Sequence, residues 1–459
     1  MKSGCFIKKS HMPFSAEDAF DWHARSGAIE RLTPPWVNID LLSRKGGLET
    51  GATVLMNMGK KPFQMAWHAR HIEYEYGKMF RDMQEKGPFN SWVHTHLFHK
   101  EGPSNTLMED RIDYKLPLHP LGNMFAGWYM EKELEKIFTH RHSTVYHDMS
   151  AHKKANLSPL RILISGASGL IGSALTPYLT TGGHQVIRLV RTKTVKCQNK
   201  IVWDPSSGQI DTKNLGPIDV VINLAGENIG QKKWDSGRKR LLVESRTKST
   251  TLLATAISNL EPRPSLFICA SAIGYYGDRK DEMLTENHGP GDLFISGICK
   301  TWEACAKTAV HPDIRTAFMR IGIGLSPKGG ALGELLFPFK MGLGAKIGKG
   351  DQYMSWISLD DILDAFLHVI SKQSLSGPVN VVAPEPVTNR EFTKIFADVL
   401  NRPSVFTIPE KAIDLIFGEM GREILLSSAR VKPEKLVQSG FTFRSETLYD
   451  ALKHMLGKS

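Results

Sequence analysis

The sequence predicts an α/β chain: a doubly wound parallel sheet with a small C-terminal subdomain from residue 160 onward, preceded by a separate α+β piece. Three observations predict this. The run Arg161–Leu179, RILISGASGLIGSALTPYL, reads as an apolar strand, a glycine-rich turn and a helix. Downstream of it, strand-like runs alternate with helical periodicities, the pattern of a parallel sheet covered on both faces. Composition also divides the chain: 12 of its 17 histidines precede residue 153, and a net charge of +1 there contrasts with +10 over the rest.

At 459 residues the chain is too long for one core. Its 41% hydrophobic and 23% charged content is ordinary for a soluble globular protein. No apolar run reaches the ~18 residues that a membrane helix needs, and MKSGCFIKKSHMPF lacks the apolar stretch of a secretory signal. The five cysteines (Cys5, Cys197, Cys269, Cys299, Cys305) are scattered, with neither a disulfide framework nor metal spacing, which suits a reducing cytoplasm. Positive charge beyond residue 153 favours anionic ligands. No basic helix interleaved with aromatics and no zinc-finger spacing argues for nucleic acid.

In the first piece, SAEDAFDWH reads as a helix capped by Ser15, with Asp18 three residues on. Strand-like runs follow: GATVLMNM, QMAWHARHIEY, SWVHTHLFH and TLMEDRIDYKL. Then LGNMFAGWYMEKELEKIF places Leu121, Met124, Phe125, Trp128 and Phe138 at roughly helical spacing. A sheet curled around a long helix leaves a cavity between them. On a strand, Trp92, His94, His96 and Phe98 share one face, with His140 and His142 on the helix that follows. A metal site is conceivable there, but no carboxylate or cysteine completes a set of known metal spacing, so these are expected to be cavity-lining or satisfied core histidines, with no metal. The polar run HKKANLSP, His152–Pro159, marks a boundary. The expected domains are 1–152, a linker at 153–159, a nucleotide-binding domain at 160–385 and a C-terminal extension at 386–459.

The turn is Gly166-Ala167-Ser168-Gly169-Leu170-Ile171-Gly172. Gly166 allows the tight turn, Gly169 lets a phosphate approach the backbone, and Gly172 lets the helix pack on the strand. A pyrophosphate then sits on free N–H groups at the positive end of the helix dipole. Pro177 within that helix predicts a kink. The next strand selects the cofactor. An NAD site places an acid about 20 residues on, for the ribose 2′-hydroxyl. Here Arg191 stands 19 residues after Gly172, followed by Thr192 and Lys193, and no acid appears before Asp204. A guanidinium suits a 2′-phosphate, so NADP(H) is expected. Asn223, Ala225 and Gly226, in NLAGENI, complete the expected cofactor contacts.

Two resemblances extend this reading. Residues 1–152 resemble the START-like, polyketide-cyclase-type helix-grip domains, most specifically in KGPFNSWVHTHLF, LMEDRIDYKLP and FTHRH. That resemblance implies a cavity for an apolar ligand. From Arg161 to the C-terminus the chain is similar to the extended short-chain dehydrogenase/reductases, in their atypical, epimerase-like branch, with a Rossmann fold. The motifs are NLAGENI, ESRTKSTTLL, SAIGYYGD, WEACA, GDQYMSWISLDD and GPVNVVAPEPVTNREF, followed by a tail similar to that branch's C-terminal extension. The resemblance implies that Arg320–Leu332 passes near the nicotinamide and that Gly348–Trp356 lines the substrate cleft.

One feature departs from that family. Its typical members use a Tyr-x-x-x-Lys pair, in which the tyrosine exchanges a proton with the substrate oxygen. The corresponding helix, FISGICKTWEACAK, contains no Tyr; its nearest fit is Ser296-x-x-x-Lys300. Counting back four from Tyr276, where the family has a hydroxyl residue, gives Ala272, with Ser271 one residue off. Three readings follow: an oxidoreductase using Ser271, Tyr275 or Tyr276, and Lys300; a cofactor-binding sensor or scaffold without turnover; or a carrier whose N-terminal ligand the second domain modifies. The first is preferred, with the substrate open.

Overall fold

In the computed structural model, residues 3–60, 62–117, 123–191, 199–213 and 215–458 are described. Contacts divide the chain into two units, Met1–Lys154 with Thr180–Gly183 and His454–Ser459, and Ala155–Leu179 with His184–Lys453.

The first unit is built on one antiparallel sheet of seven strands: β1 (Ser3–Met12), β2 (Ile39–Lys45), β3 (Thr53–Met58), β4 (Met65–Glu75), β5 (Met79–Lys86), β6 (Ser91–Gly102) and β7 (Asn105–Lys115). Strands β2 to β7 meander, and β1 returns beside β7, giving the order β1-β7-β6-β5-β4-β3-β2. Between β1 and β2 lie α1 (Ala16–Ala24) and α2 (Ala28–Leu32). Ser15 caps α1 as its sequence predicts, its hydroxyl accepting the Asp18 N–H at 3.0 Å. After β7 comes the 33-residue helix α3 (Asn123–Ala155). It ends at Ala155, so the expected linker begins as helix. Leu121 lies outside the described residues; Phe138 packs on Phe6, Ile112 and Tyr114. Phe20 and Trp22 of α1 join Phe80 and Phe98 of the sheet in a second cluster.

The second unit holds an eight-stranded, mostly parallel sheet. Its strands are β8 (Arg161–Ser165), β9 (Gln185–Val190), β10 (Lys200–Asp204), β11 (Gln209–Ile210), β12 (Val220–Asn223) and β13 (Leu266–Ala272), then Arg315–Ile321 and Gly377–Val381. The order β11-β10-β9-β8-β12-β13, then Arg315–Ile321 and Gly377–Val381, reverses direction between β8 and β12. Only β11 is antiparallel. Helices α4 (Leu170–Thr181), α5 (Ser236–Ser258) and α6 (Phe294–Ala309) connect the strands. Strands buried on both faces read as continuous apolar runs, and every residue of β12 is indeed buried. Pro177 lies inside α4, which continues to Thr181. The helical pattern Ile362, Leu363, Phe366, Leu367 and Ile370 is buried as its spacing predicts.

Candidate cofactor and active site

The glycine turn occupies the switch point of the sheet, where α/β folds bind ligands at the carboxyl ends of their strands. Gly166 has φ +69°, and a Cβ on it would fall 2.6 Å from the Leu224 carbonyl. A Cβ on Gly172 would fall 2.3 Å from the Gly166 carbonyl oxygen. Both positions therefore exclude any side chain. Gly169 is different: its nearest neighbour would be 3.4 Å away, so it keeps an open front rather than a tight fit. A cavity of about 280 Å³ lies over the turn. The three glycines, Leu170 and Ile171 line one side, and Leu224, Ala270, Ile321 and Gly322 from neighbouring strand ends line the other. Of Arg320–Leu332, the stretch expected near the nicotinamide, Ile321, Gly322 and Gly324 line this cavity.

The other expected cofactor residues fall into two kinds. Ser168 and Arg191 are exposed, and Arg191 is the first residue beyond β9. Thr192 and Lys193 lie outside the described residues. Asn223 is fully buried and holds the loop from within. Its Oδ1 accepts from the Ser165 hydroxyl at 2.6 Å and the Ala225 N–H at 3.3 Å, while its Nδ2 donates to Thr250 at 2.8 Å. Asn223 thus positions Leu224–Gly226 instead of reaching the cavity. A Cβ on Gly226 would touch Arg246 at 3.3 Å.

The expected catalytic residues lie beyond the turn. Ser271, near the end of β13, donates to Glu303 Oε1 at 2.7 Å. Arg320 grips the same carboxylate through Nε and Nη2, both at 2.9 Å. Its Nη1 donates to the Tyr276 oxygen at 3.0 Å, and the Tyr276 hydroxyl donates to Asn380 Oδ1 at 2.7 Å. The Tyr275 ring lies 3.5 Å from the Arg320 guanidinium carbon. Tyr276 is fully buried, and burial pushes its hydroxyl up to about 12 against the opposing effect of Arg320. A tyrosine that must exchange protons near pH 7 needs the opposite shift. Lys300 is exposed on α6, outside this network. Ser296 is buried and donates to the Gly274 carbonyl at 2.9 Å. Glu423 accepts the Phe294 and Ile295 N–H groups at 3.1 and 2.9 Å, closing the N-terminus of α6.

A second cavity of about 710 Å³ is lined by Lys349, Asp351, Gln352 and Tyr353, together with Asp278, Arg422 and Glu423. The first four of these residues are the part of Gly348–Trp356 that lines it, beside further charged side chains.

Comparison with known proteins fixes the family. Residues 162–382 match the NAD dependent epimerase/dehydratase family. An epimerase family protein of Mycobacterium bovis is 41% identical over 291 residues, 63% of this chain and 96% of that protein. The chain belongs to the NAD dependent epimerase/dehydratase family.

As an epimerase family protein it binds a dinucleotide, and no helix among its described residues is long and apolar enough to cross a membrane. Residues 408–455 match a domain of unknown function (DUF1731). The crystal structure of a nucleoside-diphosphate sugar epimerase from Corynebacterium glutamicum is similar over 98% of this chain and 90% of that one, at 32% identity and TM-score 0.81. Human epimerase family protein SDR39U1, crystallised with NADPH, is 31% identical, with TM-score 0.60 over 65% of this chain and 99% of that one. Within this epimerase family chain, sequence reasoning missed Glu303, Arg320 and Glu423. Glu303 stands in the quoted WEACA motif, and its signal was a carboxylate one turn after Cys299 on a helix face that is otherwise buried.

Proposed function

We propose that this protein binds NADP(H) in preference to NAD(H) and acts as an oxidoreductase on a small-molecule substrate in the cytoplasm. The observation that carries the cofactor preference is Arg191, exposed at the end of the strand next to the glycine turn, with no carboxylate in its place. Relatedness to a protein crystallised with NADPH supports it. The fit of a pyrophosphate rests on Gly169, which keeps the front of the turn open, while Gly166 and Gly172 allow the turn and the helix to pack. Bound there, the cofactor supplies hydride transfer. The chain's own part in moving a proton falls to Ser271, whose hydroxyl is held by Glu303, and to the half-buried Tyr275 beside Arg320. Tyr276 serves as a strut, and Lys300 is left to the surface.

Calorimetric titration tests the preference. A charge-assisted, bidentate pair contributes about 1.5–3 kcal/mol, roughly ten- to a hundredfold in dissociation constant. Arg191→Ala should weaken NADPH by that factor and leave NADH nearly unchanged, and added salt should narrow the wild-type gap. A wild type that prefers NADH, or equal weakening of both cofactors, overturns the assignment.

A second reading, a cofactor-binding sensor without turnover, is favoured by the locked Tyr276. Failure to oxidise NADPH across a broad panel of carbonyl compounds would support it. For the first unit, the long helix and the return of β1 beside β7 support a helix-grip, START-like domain. Binding of a fluorescent lipid probe by the full chain tests the apolar ligand that this reading implies.

A further inference from the structure

The first unit buries a cluster that the cofactor chemistry does not use, and the register of its sheet builds it. His71, Asp82 and His94 stand opposite one another on β4, β5 and β6. One row along, Phe80, His96 and Asp110 stand opposite on β5, β6 and β7. Directly opposed residues of antiparallel strands share a face. Asp110 is the hub. Its Oδ1 accepts from His94 Nε2 at 2.8 Å and from His96 Nδ1 at 2.6 Å, and its Oδ2 accepts from His142 Nε2 of α3 at 2.7 Å.

Those hydrogen bonds fix the chemistry of the rings. Burial alone would raise the Asp110 carboxyl, but the hydrogen bonds from the three histidines oppose it, and the group lies well below the carboxylate range. An ionised carboxylate only accepts. His94 and His96 therefore present N–H groups to it, and burial disfavours the charged form of both rings. In a neutral imidazole the second nitrogen carries a lone pair. Here these are His94 Nδ1 and His96 Nε2. His94 Nδ1 lies 3.8 Å from Asp82 Oδ2, and Asp82, His94 and His96 each offer a ligand atom within 4.8 Å of the others.

We propose that Asp82, His94 and His96 bind a divalent transition-metal ion, zinc or iron(II), with Asp110 orienting both imidazoles from behind. Two neutral imidazoles and one carboxylate leave an open coordination position, the donor set of exchangeable rather than closed metal sites. A ligating histidine usually gives its other N–H to a carboxylate, and Asp110 serves two at once. Ligands about 2.0–2.2 Å from a tetrahedral ion lie roughly 3.3–3.6 Å apart, so small side-chain movements close the set. A second observation points the same way: His71, across from Asp82, carries a buried Nδ1 with no hydrogen-bond partner. The Arg141 guanidinium interacts with both carboxylates, Asp110 and Asp82. No carboxylate stands at a metal spacing along the chain because Asp82 comes from the neighbouring strand.

The test uses the untagged full chain, stripped with a chelator and dialysed against Zn²⁺ or Co²⁺. About one equivalent of metal should be retained, with a visible Co²⁺ absorption band. Asp82→Asn and His94→Gln should abolish it, and Asp110→Asn should weaken it roughly 10–100-fold. His11→Gln and His99→Gln, at exposed histidines, should leave it unchanged, as all variants should leave NADPH binding. Because a buried histidine variant can fail to fold, circular dichroism accompanies each, and Asp82→Asn, similar in volume, decides alone if His94→Gln unfolds. Absence of bound metal, or binding that survives Asp82→Asn, overturns the proposal.

Discussion

Each unit buries a charged cluster against its sheet, and the two differ in what they leave over. In the second unit, all three nitrogens of the Arg320 guanidinium have partners, and Glu303 and Tyr276 absorb the rest of the network. In the first, His142 engages both ring nitrogens, with Ser10 and Asp110, but His94 and His96 each commit only one nitrogen to Asp110, and His71 leaves one without a partner. A saturated cluster braces a fold, whereas a cluster with spare lone pairs has valence to offer a ligand.

Breaking the brace should have the largest effect. Glu303→Ala leaves Arg320 buried without its carboxylate, so urea unfolding should show a loss of about 3–5 kcal/mol. Lys300→Ala, at an exposed site on the same helix, should stay within about 0.5 kcal/mol. Equal losses would erase the distinction drawn for α6.

The next prediction separates the clusters by pH. Burial lowers His23 of α1 from 6.5 to about 4, and its Nδ1–H donates to the Ala19 carbonyl. The unfolded chain therefore takes the proton first. Stability is unaffected above the unfolded value of 6.5 and falls as pH drops from there toward 4. That gap converts to about 3 kcal/mol at full extent. Denaturant midpoints at pH 7 and pH 4.5 should fall further for wild type than for His23→Gln; identical falls would exclude His23 as the source.

The smallest expected effect concerns Tyr276. Tyr276→Phe removes a hydroxyl that joins Arg320 to Asn380 and should destabilise by about 1–3 kcal/mol. Once a substrate is in hand, turnover should persist in the folded variant, because this oxygen is a strut. Loss of turnover with stability unchanged would return Tyr276 to the chemistry.

The glycine turn was legible because its requirements are local: Gly166 and Gly172 are constrained by atoms a few residues away or on the adjoining loop. The same holds for Ser15 and for the buried helix faces. Strand β1 escaped, since what pairs it lies about a hundred residues downstream, with Phe6 opposite Ile112. Tyr276 looked available in the sequence because its two partners, Arg320 and Asn380, come from other strands. Asp82 escaped for a related reason. Its place beside His94 is set by hairpin register, and a search by sequence interval does not see register.

Arg191 stands apart from all of these. It is exposed, lies just past the end of β9, and belongs to none of the buried clusters. Exposed positions of this kind accept substitution within about 0.5 kcal/mol. On the proposed reading of Arg191, cofactor choice and foldability are written in different residues. If Arg191 reads the 2′-phosphate as proposed, a single codon change at 191 can erase the preference between the two nicotinamide pools without first passing through an unstable intermediate.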